Sequence, residues 1–135
     1  MLLSLEVPSL GRVMSVFRVR VALAPLDRSR WIEFEMTVDT GATLTKIPRS
    51  LSVDLGLVPE GVVEVRFGDG RTIEREVASA GIRCEGRERI VTVAICEDSE
   101  PLVLGATALE ALAFSVDPVN EILVPTALYE FLATA

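Results

Sequence analysis

The stretch Ile32-Glu33-Phe34-Glu35-Met36-Thr37-Val38-Asp39-Thr40-Gly41-Ala42-Thr43-Leu44-Thr45-Lys46-Ile47-Pro48 decides the reading of the chain. Ile32, Phe34, Met36 and Val38 alternate with Glu33, Glu35 and Thr37, the period of a strand with one buried face. The pattern then breaks at Asp39-Thr40-Gly41 and resumes with Leu44 and Ile47. A carboxylate is thereby held at the mouth of a buried strand.

The chemistry open to that carboxylate is limited by what the chain lacks. It contains no histidine, which excludes Ser-His-Asp and Cys-His arrangements, a His-Glu-x-x-His zinc helix and a histidine general base. Carboxylates must carry any acid-base work. Two carboxylic acids brought close together cannot both ionise, so the pair shares one proton, one member serving as base and the other as acid. Such a pair can deprotonate a water lying between them while protonating the carbonyl oxygen that the water attacks.

Asp39-Thr40-Gly41-Ala42 after a hydrophobic strand resembles the catalytic loop of the aspartic peptidases, and its single copy is similar to the retroviral-type, retropepsin-like branch in its small prokaryotic form. Leu102-Val103-Leu104-Gly105, followed by Ala106-Thr107-Ala108-Leu109, resembles the branch's two-apolar-residues-then-Gly signature, where a strand passes under the catalytic loop into a short helix. Phe114 to Pro125 resembles its closing strand, turn and strand. The resemblance runs from about residue 30 to 125 and implies an all-β, closed acid-protease-like barrel with one or two short helices. It makes Asp39 catalytic, sets Thr40 to hydrogen-bond across a twofold axis, and has Gly105 brace the loop from behind. Gly41, Ala42 and Thr43 become the cleft floor that receives a peptide backbone.

Only one Asp-Thr-Gly is present, so a second carboxylate requires a second copy of the chain, each surface meeting its own image. The expected function is a homodimeric aspartic endopeptidase without cofactor or metal, acting on an extended peptide or protein. A second reading is a dimeric peptide-binding or structural module on the same fold that hydrolyses nothing. The apolar ends, Met1–Val7 and Leu128–Leu132, are expected to pair between subunits.

Working outward, residues 12–24 alternate Val13, Phe17, Val19, Val21 and Leu23 with Arg12, Arg18 and Arg20, a strand that turns through 24–30 into the one ending at Asp39. Pro48 to Gly56 carries Pro at its start, Leu51 and Leu55 on one face and Gly at its end, the marks of a short capped helix. Val62–Phe67 and Arg71–Val77 alternate around Gly68-Asp69-Gly70 and form a hairpin; in a protease of this kind it is the flap over the substrate, with those three residues at its tip. Residues 77–84 and 89–96 read as two further strands around Glu85–Glu88. Glu97-Asp98-Ser99-Glu100-Pro101 reads as a solvated acidic connector, and Asp27, Asp54, Asp69, Asp98 and Asp117 read as turn or helix-end acids.

With 135 residues, half of them hydrophobic, the chain is expected to form a single domain over 1–135 with its core in about 12–125. No apolar run reaches membrane-spanning length and residues 1–6 lack the basic start of a signal peptide, so the protein is expected to be cytoplasmic. A net charge of −7 argues against nucleic acid and anionic membranes as partners. Cys84 and Cys96 are the only cysteines. A turn near Gly86-Arg87 sets Cys84 opposite Arg89 to Val91, several positions short of Cys96, so both read as buried free thiols.

Overall fold

The computed structural model describes residues 16–128 and 130. The strand positions before residue 16, the N-terminal segment Met1–Val7, Tyr129 and residues 131–135 lie outside the described residues. Strands β1 (Arg18–Ala24) and β2 (Ile32–Val38) form an antiparallel hairpin that sets Val21 opposite Phe34 and Leu23 opposite Ile32. The alternation of β2 is realised directly, with Met36 and Val38 fully buried and Glu33 and Glu35 exposed. The end of β1 departs from it, because Ala22 and Ala24 are buried as well as Val21 and Leu23. Trp31 covers that second face: its ring lies against Gly81, beside Ala24, with the Arg83 guanidinium 4.0 Å above it, an arrangement that combines apolar burial with cation–π attraction.

Beyond the loop at residues 39–44 come β3 (Thr45–Pro48) and helix α1 (Arg49–Leu55). Pro48 precedes the first helical residue and Gly56 ends the helix in the left-handed region at φ 72°, where a side chain is disfavoured. Asp98 accepts a hydrogen bond from the Ser50 N–H at 2.9 Å and so satisfies one of the free donors of the first turn from across the fold.

Strand β4 (Pro59–Arg66) pairs with β5 (Thr72–Cys84), and β5 with β6 (Arg87–Cys96). The two runs on either side of Val77 are one continuous strand, since no Gly or Pro interrupts the sequence between Arg71 and Gly81. Its first half pairs with β4, and its second half pairs with β6 and, at Gly81–Arg83, with β1. The β5–β6 turn is tighter than the sequence suggests. Only Glu85-Gly86 intervenes, and Cys84 lies opposite Arg87. Both cysteines are buried free thiols as expected, and burial pushes the Cys84 thiol up to about 11.

The short β7 (Val103–Leu104) runs parallel to β2 and antiparallel to β3, then enters helix α2 (Ala106–Ala111). The hydrogen-bonded order is β1-β2-β7-β3-β6-β5-β4, and the β1–β5 pairing brings the sheet back on itself, with β4 projecting from the ring. Strands β8 (Phe114–Asp117) and β9 (Ile122–Pro125) form a separate hairpin. The architecture is all-β with short helices. Leu23, Met36, Ile47, Ile82, Val93, Leu104 and Leu112 are fully or almost fully buried and form the core with their neighbours. Among the described residues no helix is long and apolar enough to cross a membrane.

Candidate active site

Asp39 follows the last residue of β2, and its N–H continues the parallel ladder by donating to the Leu104 carbonyl at 3.0 Å. The chain then folds back on the carboxylate. The Gly41 N–H donates to Asp39 Oδ1 at 2.9 Å and the Ala42 N–H to the Asp39 carbonyl at 3.2 Å, a local turn in which aspartate is favoured.

The return of the loop is fixed from behind by the start of α2. Ala106 N–H donates to the Ala42 carbonyl at 2.7 Å, Thr107 N–H to the Thr43 carbonyl at 2.9 Å, and Gly105 N–H to Oγ1 of fully buried Thr45 at 3.1 Å. Gly105 is packed so closely under the loop that an added Cβ would stand 2.6 Å from the Leu44 carbonyl group and 2.9 Å from the Ala42 oxygen. The carboxylate is thus carried on a loop whose backbone bonds run to β7 and α2, where rigid support favours precise placement.

Asp39, Gly41, Ala42 and Thr43 line one side of a cleft of about 710 Å³. Val63, Val65, Phe67 and Gly68 of the β4–β5 hairpin line the other, so the hairpin overhangs the Asp39 loop. At its tip the Phe67 N–H donates to the Arg71 carbonyl at 2.8 Å and the Gly70 N–H to the Phe67 carbonyl at 2.9 Å. Asp69 folds back onto Arg71, accepting from its backbone N–H at 3.0 Å and from Nε at 2.7 Å, and these bonds hold its carboxyl below the usual range. Of the residues singled out in the sequence, Asp39, Gly41, Ala42, Thr43 and Gly68 come together around the cleft. Thr40 is exposed, Asp69 and Gly70 stand at the tip outside the lining, and Gly105 lies behind the loop.

A charged cluster beside this site escaped sequence reasoning. Arg75 of β5 is buried, and its guanidinium binds Glu100 through both terminal nitrogens at 3.0 and 2.8 Å. Lys46 of β3 donates to the same carboxylate at 3.1 Å, and so does the Glu97 N–H, also at 3.1 Å. The segment read as a solvated connector therefore ties the hairpin to the cleft floor. One signal was available: Arg75 shares the strand parity of buried Val77, an unusual place for a charge without a partner.

The Arg75 hydrogen bonds, helped by Glu97 N–H and Lys46, pull the Glu100 carboxyl down to about 2. Its folded pKa lies below the ordinary 4.5 of the unfolded chain, so the unfolded state takes up the proton first. The stabilisation is full above that ordinary value and is lost as pH falls through the folded one. Glu100→Gln is expected to cost about 2–3 kcal/mol at neutral pH, because buried Arg75 loses its counter-charge. Urea denaturation of the two proteins should show that gap closing progressively in acid; equal stabilities at neutral pH would contradict the assignment.

The comparisons with known proteins agree with this geometry. The sequence profile described as aspartyl protease matches residues 32–108, which spans β2, the Asp39 loop, the hairpin, β7 and the start of α2. The chain is similar in structure to the EIAV protease solved with an inhibitor, with a TM-score of 0.55 and 15% identity, over 72% of this chain and 88% of that one. Weaker likenesses are to the retroviral protease-like domain of Ddi1 from Leishmania major, at a TM-score of 0.49 and 18% identity over 82% and 94% of the two chains, and to a retropepsin-like aspartic protease from Rickettsia conorii, at 0.46 and 15% over 80% and 90%. Among curated proteins no significant sequence match is found. The aspartyl protease profile covers more than half of the chain, and the loop, the bracing strand and the overhanging hairpin fall inside it: the chain belongs to the aspartyl protease family.

Proposed function

We propose that the protein is a homodimeric aspartic endopeptidase whose catalytic group is Asp39, contributed once by each protomer. The observation that carries the reading is the position of Asp39: at the end of a buried strand, on a loop bonded to β7 and α2, at the floor of a cleft covered by a hairpin. In this mechanism the two Asp39 carboxyls hold one proton between them. The ionised member removes a proton from a bound water as its oxygen attacks the scissile carbonyl carbon, and the protonated member gives its proton to the carbonyl oxygen. The tetrahedral diol then collapses: the C–N bond breaks, the protonated carboxyl gives its proton to the leaving nitrogen, and the ionised carboxyl takes the proton of one diol hydroxyl as the C=O bond forms, which restores the shared proton. No covalent bond to the enzyme forms.

Thr40 is assigned to hold the two loops together across the axis. Gly41, Ala42 and Thr43 receive the peptide backbone from below, and Gly68, with the tip residues Asp69 and Gly70, closes from above as the hairpin moves. The expected result with an unbiased peptide library is internal cleavage whose specific activity rises with protein concentration until the dimer is saturated. Peptides that bind and are released intact at every concentration and pH would replace the peptidase with a non-catalytic binding module.

A further inference from the structure

The cleft lining carries three cations, Lys46, Arg66 and Arg75, against two carboxylates, Asp39 and Glu64. Lys46 stands on β3 of the floor and Arg75 on β5 of the hairpin. Their shared partner Glu100 is not among the residues lining that cleft; together with Arg75 it lines the neighbouring depression outside the hairpin. Two cations share one carboxylate, and that carboxylate does not line the space where a peptide would lie. The acceptor side is also filled: Glu100 receives both Arg75 nitrogens, Lys46 Nζ and the Glu97 N–H, close to what a carboxylate can accept. Lys46 spends one of its ammonium donors on Glu100 at 3.1 Å, and among the described residues no other hydrogen bond of Nζ is made. The cluster is a donor array with its anion at the back.

We propose that Lys46, backed by Arg75, forms a subsite for an acidic side chain, so that the cleft selects extended peptides carrying Asp or Glu at one position near the bond to be cut. The inference rests on the reading of the cleft as a peptide site and names its substrate class. A substrate carboxylate meeting Lys46 forms an ion pair, stronger than the hydrogen bond that the oxygen of the matching amide can accept. Glu100 cannot supply that selectivity against acids, since it lies behind the two cations.

The test uses pairs of short peptides that differ only by Glu or Gln at each successive position, with binding measured on the Asp39→Asn protein and cleavage measured separately on the wild type. At one position the Glu peptide is expected to bind about tenfold more tightly than its Gln partner. The preference should weaken with salt, fall to a ratio near unity in an Asp39→Asn, Lys46→Met double variant, and persist when Lys46→Arg replaces Lys46→Met. Equal affinity for Glu and Gln at every position overturns the subsite, and cleavage of both by the wild type would then leave the peptidase standing. A Glu preference in binding with no cleavage keeps the subsite and removes the peptidase. Failure of any peptide to bind or be cut removes both.

Discussion

Asp39→Asn is expected to lower kcat/KM for peptide hydrolysis by at least about a thousandfold, because general acid-base catalysis contributes on that scale and asparagine can neither take a proton from water nor deliver one. The change is nearly isosteric. Its side-chain oxygen can still accept the Gly41 N–H now bonded to Oδ1 at 2.9 Å, and the bond from residue 39 N–H to the Leu104 carbonyl belongs to the backbone. Thermal and urea stability should therefore stay within about 0.5 kcal/mol of wild type, as for substitutions away from buried networks. Intact folding and association with abolished cleavage separates a catalytic acid from a structural turn acid. Equal activity of mutant and wild type over many peptides and a wide pH range would remove Asp39 from the mechanism.

Gly105→Ala should produce the largest loss of stability of any single methyl added near the site. The new Cβ would stand 2.6 Å from both the carbonyl carbon and the oxygen of Leu44. These are backbone atoms and cannot rotate away as a flexible side chain would. Either the loop lifts, stretching the bonds from Ala106 and Thr107 to the Ala42 and Thr43 carbonyls, or β7 and α2 retreat from β2. Overpacking of this kind costs about 3 kcal/mol. Activity should fall further than stability alone explains, because the displaced loop carries Asp39. Gly68→Ala is the internal control: a Cβ there meets nothing within 4 Å, so urea denaturation should register almost no change. A Gly105→Ala protein as stable as wild type would show that the loop is not clamped as described.

The parts legible in the sequence are those fixed by local pattern. The alternation from Ile32 to Val38, the break at Asp39, the Pro48-to-Gly56 helix and the Val103-Leu104-Gly105 step all depend on near neighbours, and each element formed where its pattern stands. What escaped depends on residues far apart in the chain. Lys46 and Glu100 are separated by 54 positions and Arg75 and Glu100 by 25, so nothing around Glu97–Pro101 signals that one of its acids anchors the buried Arg75. Local composition there reads as a solvated loop because a charge reveals its partner only after folding. The same applies to the hairpin. Glycines drew attention to its tip, whereas the whole stretch from Val63 to Gly68 lines the cleft; how β4 lies over the Asp39 loop is set by pairing with β5, and β5 is in turn held by β6 and β1.

The claim on which the mechanism depends is that one active site is made from two chains. Mixing wild-type protein with Asp39→Asn protein under conditions that exchange subunits measures this directly. If both carboxyls are needed, mixed dimers are inactive, and an equal mixture keeps about one quarter of the activity of the same total amount of wild type, as random pairing into a symmetric dimer requires. If each chain works alone, the mixture keeps about one half, and that proportional result would contradict the shared site.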